Sequence, residues 1–172
     1  MRILGIDPGL RITGYGCVEG DVVGPRIVEA GVFRLVSGSP VSPVADRLVE
    51  LDRDLRELIE RVEPSVIAVE GLFAHYGHPE TAVKMAHGRG VILLAAKQMG
   101  LTIMEFKPAE VKKAATGSGR ATKTQMQESI QVLFGLDSLP TPADVADALA
   151  IGVCGLRRYE AQAGLVEGGL PS

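Results

Sequence analysis

Apolar residues fall along this chain in two rhythms. Ile3 to Asp7 is a short apolar run closed by Pro8-Gly9, which predicts a buried strand ending in a turn. Thr13 to Val18 alternates Thr13, Tyr15 and Cys17 with Gly14, Gly16 and Val18. One face of this second strand is nearly bare of side chain, as happens where another group approaches the backbone closely. Arg26 to Val36 predicts a third strand and completes an antiparallel meander. From Ser42-Pro43, an N-cap and first-turn proline, Val44, Leu48, Leu51, Leu55, Leu58 and Val62 recur at helical spacing and predict an amphipathic helix.

Val66-Ile67-Ala68-Val69-Glu70 then repeats the opening motif of apolar strand, terminal carboxylate and glycine. Pro79 to Met99 predicts a long helix interrupted at His87-Gly88-Arg89-Gly90. Each glycine in a helix interior costs roughly 1 kcal/mol against alanine, so this pair points to close packing inside the chain or across a dimer. Leu101 to Phe106 predicts a last strand, Lys107 to Leu133 helix broken at Thr116-Gly117-Ser118-Gly119, and Thr141-Pro142 the start of a final helix. The whole reads as an α/β domain over residues 1–160, a five-stranded mixed sheet with helices on both faces, followed by a flexible tail over 161–172.

At 172 residues, 46% apolar and 23% charged, the chain has the balance of one globular domain. It has no apolar run of the roughly 18 residues a membrane span needs and no secretory pattern at Met1-Arg2-Ile3-Leu4, so a cytoplasmic protein with no membrane partner is expected. Cys17 and Cys154 lie in apolar surroundings and read as reduced, buried thiols. The formal net charge of −3 gives no overall attraction to nucleic acid. Charge is segregated, however: Lys107, Lys112, Lys113, Arg120 and Lys123 face only Glu110 between residues 107 and 124. A local basic surface of this kind can steer a polyanion.

Asp7 and Glu70 both end apolar strands separated by one long helical crossover, the connection that joins parallel strands. Ligands collect at such strand ends. Carboxylates on strands about 4.8 Å apart repel unless one is neutralised or a cation lies between them. Asp144 and Asp147 share one face of a helix otherwise built of Ala, Val, Leu and Ile, where a lone carboxylate is costly. Singly, each has a plainer reading: Asp7 as an Asx-turn residue, Asp144 as a helix cap, Glu70 as an exposed strand end. Together, the four make a hard, all-oxygen set suited to magnesium or manganese.

The segments GIDPGLRITGYG at residues 5–16, VEGLF at 69–73 and ADVADALAIG at 143–152 resemble the RuvC crossover junction endodeoxyribonucleases, in order and spacing from Met1 to about Tyr159. The resemblance implies a ribonuclease-H-like fold and paired, symmetric nicking of four-way (Holliday) DNA junctions. It puts the family's catalytic, metal-binding acids on Asp7, Glu70, Asp144 and Asp147. Two Mg²⁺ ions per site, replaceable by Mn²⁺, would drive hydrolysis to a 5′ phosphate and a 3′ hydroxyl. Lys112 and Lys123 match basic positions near the family's active site and are assigned to phosphate contact, with Arg120 and Lys113 as further DNA-binding candidates. Phe73 matches an aromatic that stacks on an opened base, and Tyr76, three residues on, is given no role. A homodimer, with the Pro79 to Met99 helix and its small Ala86 and Gly90 at the interface, and the RuvAB branch-migration complex are the implied partners.

Other readings fare worse. His75 and His78 lack a neighbouring Cys or third His for zinc, and GSGRATKT at 117–124 has Thr122 where a phosphate-binding loop needs glycine. An actin- or sugar-kinase-like ATP module would need a duplicated second domain. A catalytically silent junction-binding relative would lack one of the four acids.

Overall fold

The computed structural model describes residues 1–21, 23–35, 42–71 and 79–167. Strands β1 (Arg2–Asp7), β2 (Ile12–Glu19) and β3 (Arg26–Arg34) form the antiparallel meander, and β4 (Val66–Glu70) and β5 (Thr102–Phe106) extend the sheet in the order β3-β2-β1-β4-β5. β1 and β4 are parallel, as are β4 and β5. Helices α1 (Val44–Val62) and α2 (Pro79–Gln98) are the crossovers, and α3 (Pro108–Thr116), α4 (Lys123–Phe134) and α5 (Ala143–Glu167) follow the last strand.

Side-chain parity divides the core. Leu4, Ile6, Ile67 and Val69 pack with Leu51, Leu55 and Leu58 of α1 and Ile92 of α2 on one face of the sheet. Ile3, Val66 and Ala68 pack with Met126, Ile130, Leu149 and Ile151 on the other, under α4 and α5. Because successive strand residues point to opposite faces, Asp7 shares the parity of Ile3, and Glu70 that of Val66 and Ala68. Both strand-end acids therefore lie on the α5 side.

The bare face of β2 is where α5 lies. A Cβ on Gly14 would stand 2.2 Å from the Asp144 carbonyl oxygen, and one on Gly5 of β1 would stand 2.2 Å from that of Ala148. Backbone meets backbone at these points, so neither contact can be relieved by turning a side chain. Gly14→Ala should push the start of α5 off the sheet and cost about 3 kcal/mol, lowering the melting temperature by roughly 6–12 °C for a chain of this size. Thermal unfolding checks it, and an unchanged melting temperature would contradict the close packing.

The structure corrects several boundaries. Helix α1 has Pro43, not Ser42, at its N-cap position and no side-chain cap hydrogen bond; its stability comes from the buried stripe of Leu51, Leu55, Leu58, Ile59 and Val62 rather than from a cap. Helix α2 runs without a break through Gly88 and Gly90. There Gly88 is covered by Leu10 and Leu51, whereas Gly90 has nothing near its Cβ position. Helix α5 continues to Glu167, past the boundary expected at 160. Position 36, the expected end of the third strand, lies outside the described residues. Both cysteines are free and buried, as expected. Among the described residues no helix is long and apolar enough to cross a membrane.

Candidate active site

The turn after Asp7 is held from two sides. The buried Thr13 hydroxyl donates to the Gly9 carbonyl at 2.6 Å, while its oxygen accepts from the Gly9 amide at 3.3 Å. From α1, the buried Arg47 guanidinium donates to the Leu10 carbonyl at 2.8 Å. Among the described residues, no hydrogen bond reaches the Asp7 carboxylate, so the turn does not use it as an Asx residue does. The register Ile6 opposite Val69 brings Glu70 alongside. Close packing of α5 on Gly5 and Gly14 brings Asp144 and Asp147 to the same end of the sheet. Asp144 caps nothing among the described residues: the first turn of α5 is closed by the Val145 amide on the Pro142 carbonyl at 3.0 Å.

All four acids line one pocket of about 400 Å³, with Lys112 of α3 and Lys123 of α4 on its wall. Pro8, Gly9, Ile12, Met85, Pro108, Val111 and Met126 complete it. Lys113 and Arg120 are exposed and outside this lining. Phe73, His75, Tyr76 and His78 lie outside the described residues. Sequence reasoning missed the apolar wall. Pro108, Val111 and Lys112 sit at helical i, i+3, i+4 spacing, and that periodicity could have flagged Pro108 and Val111 beside the lysine.

Electrostatics bind the group together. The Asp7 carboxyl is pushed up to about 8, first by burial and then by the charges of Asp147, Glu70 and Asp144, against the pull of Lys123. Burial also raises Glu70, with Asp147 adding and Lys112 and Lys123 opposing. Asp147 is raised mainly by burial, with Lys123 and Lys112 opposing and Asp144 adding. Among the described residues, no group of three or more His, Cys, Asp or Glu stands as a ready-made ion cage. The carboxylates share one pocket, where like charges repel and a bound cation would relieve the repulsion. The donor set fits a divalent cation: oxygen only, partly buried, free of competing hydrogen bonds among the described residues and short of compensating charge.

A mixed sheet of this order, with acids at adjacent parallel strand ends facing acids on the packed helix, is the ribonuclease-H-like fold. A family profile described as "Crossover junction endodeoxyribonuclease RuvC" matches residues 3–155, and the chain belongs to that family of endonucleases. The RuvC of Moorella thermoacetica is 46% identical over 154 residues, covering 90% of each chain. That of Rhodopirellula baltica is 44% identical over 155 residues, 89% of this chain and 84% of the relative. Among solved structures, Thermus thermophilus RuvC in complex with Holliday junction substrate superposes with a TM-score of 0.82 at 31% identity, covering 95% of this chain and 96% of that one. The yeast mitochondrial Holliday junction resolvase Ydc2, at 18% identity and a TM-score of 0.65, shares the fold. Membership in the family carries dependence on a divalent metal ion.

Proposed function

We propose that the pocket hydrolyses one phosphodiester bond of a four-way DNA junction, with two magnesium ions, replaceable by manganese, held by Asp7, Glu70, Asp144 and Asp147. One observation carries this reading: four acids from two strand ends and one helix line a single pocket beside two lysines. Such ions, when bound, supply activation of water for in-line attack and stabilisation of the departing 3′ oxygen. The chain's own residues do the rest. Asp7, whose carboxyl couples to the other three acids, would be one of the residues that hold the metal. Lys112 and Lys123 draw the phosphate backbone over the acids and offset their charge. Val111, Met126 and Met85 keep part of the wall apolar and limit water around the scissile bond.

Resolving a junction takes two matched cuts, and a two-fold dimer supplies two pockets. Helix α2 supports this, since Val83, Ala86, Gly90 and Leu94 form an exposed stripe on one face. Val83 is 56% exposed and Leu94 57%, more apolar surface than a helix facing only water needs. The RuvAB branch-migration complex is the proposed partner in the cell, and the cytoplasm the proposed place.

The test is a synthetic mobile four-way junction incubated with Mg²⁺ or Mn²⁺. Paired, symmetric nicks carrying 5′ phosphates are expected, with linear duplex of the same sequence left intact. Nucleotide hydrolysis without DNA, or equal cutting of linear duplex, contradicts the proposal. The lysines add a quantitative expectation. Lys112→Ala and Lys123→Ala should each weaken junction binding at every sequence and reduce the slope of log affinity against log salt by about 0.9. A salt titration of binding in calcium reads it, and an unchanged slope removes that lysine from the phosphate path.

A further inference from the structure

A strand cut in the pocket continues on both sides of the scissile phosphate, so it must cross two rims. Lys112 and Lys123 occupy the α3–α4 rim. The β1–β2 turn also lines the pocket, through Gly9 and Ile12, and in the sheet order β3-β2-β1-β4-β5 it is separated by β4 from β5, the strand that leads into α3. Arg11 immediately precedes Ile12, and Arg34 of β3 is the register partner of Ile12. The Leu35 amide bonds the Arg11 carbonyl at 3.0 Å, which ties the two segments together beside the pocket. Both arginines are exposed.

Several arginines elsewhere in the chain have acidic partners, and this pair has none among the described residues. At the far end of the same strands, Arg2 and Arg26 both pair with Glu19, at 3.0 and 3.1 Å. Arg61 pairs with Glu29 at 2.7 Å, and Arg53 and Arg56 pair with Asp54 and Asp52 along α1. Among the described residues, Arg11 and Arg34 make no ion pair and donate no hydrogen bond, and Asp46 in the nearby first turn of α1 pairs with neither. Guanidinium groups without acidic partners among the described residues, at the pocket end of strands whose far end pairs its arginines with Glu19, are available to a polyanion.

We propose that Arg11 and Arg34 form a second phosphate-binding ledge, which grips the DNA backbone beside the β1–β2 turn, on elements other than those that carry Lys112 and Lys123. The inference rests on the junction-nuclease reading and adds to it the path of the strand. Guanidinium forks there hold phosphate oxygens and read no bases, so they contribute affinity and orientation without sequence preference.

The experiment measures four-way junction binding across a salt series in calcium for the wild type, the double variant Arg11→Gln with Arg34→Gln, the double variant Arg11→Lys with Arg34→Lys, Arg26→Gln and Lys112→Ala. Melting temperatures are recorded for each. The Gln pair is expected to lower the salt slope by roughly 1.8, about 0.9 for each phosphate released. The Lys pair, which retains charge, should keep most of the slope, and Arg26→Gln should match the wild type. A Gln pair that melts and binds like the wild type while Lys112→Ala lowers the slope overturns the ledge and leaves the nuclease reading intact. A slope that falls equally for Arg26→Gln also overturns it, since charge anywhere would then suffice. Absence of junction binding by the wild type instead overturns the reading beneath it.

Discussion

Asp7→Asn should reduce junction cleavage by at least about 10³-fold, equivalent to roughly 4 kcal/mol of transition-state stabilisation, while junction affinity stays within about twofold of the wild type. Asparagine keeps the shape of aspartate, and the turn behind it is held by Thr13 and Arg47 rather than by the carboxylate. The pocket therefore survives the change. What disappears is the charge that couples to Asp147, Glu70 and Asp144 together, and with it a proposed metal ligand. Binding persists because the cations that attract DNA sit on other elements. Gel-shift and single-turnover cleavage assays on one junction separate the two effects. A variant that cuts within tenfold of the wild type would show that Asp7 does not hold the metal.

The second large effect is a dependence of stability on pH and metal. Asp7 ordinarily titrates near 3.8 and in the folded chain is pushed up to about 8; Glu70 and Asp147 move the same way. A carboxyl whose folded pKa lies above its unfolded value holds its proton more tightly when folded. Stability is then present at the acid side of the window and is lost as pH rises from about 4 to about 8. The difference in melting temperature between Asp7→Asn and the wild type, both free of metal, should accordingly grow from near zero at pH 4 to its full value at pH 8. Relief of about 2 kcal/mol, well below the full shift because water screens the pocket, raises melting by roughly 4–8 °C. Millimolar Mg²⁺ or Mn²⁺ should stabilise the wild type at pH 8, do much less at pH 5, and do little for Asp7→Asn. Scanning calorimetry across pH reads all of this, and a difference that stays flat from pH 4 to pH 8 would contradict the coupling of the acids.

Most of this was legible in the sequence because it is written in short-range patterns. Apolar runs ended by Asp7 and Glu70 gave the parallel strands, and strand parity then put both acids on one face. The alternation of Gly14 and Gly16 foretold a close approach, but not that its partner would be α5 at the Asp144 carbonyl; such pairings depend on the whole fold. The break expected at Gly88 and Gly90 did not form, because propensity is a weak term beside the packing of Ile92, Ala95 and Ala96 in the core. Ser42 has the chemistry of a cap, yet the helix starts one residue later, after Pro43. At the site, strand-end position and residue type singled out the acids, and the family resemblance singled out Lys112 and Lys123, all of which line the pocket. Val111 was within reach through its helical spacing with Pro108 and Lys112, whereas Met126 and Met85 carry no chemical signature and emerge only when α2, α3 and α4 are assembled around the pocket.

The most direct test is crystallographic: anomalous diffraction from crystals soaked in Mn²⁺ locates the cation independently of any assay. A peak in the pocket within bonding distance of Asp7 and at least two of Glu70, Asp144 and Asp147, absent in Asp7→Asn, is the expected result. Manganese bound only elsewhere, in crystals of protein that cleaves junctions in the same buffer, would contradict it.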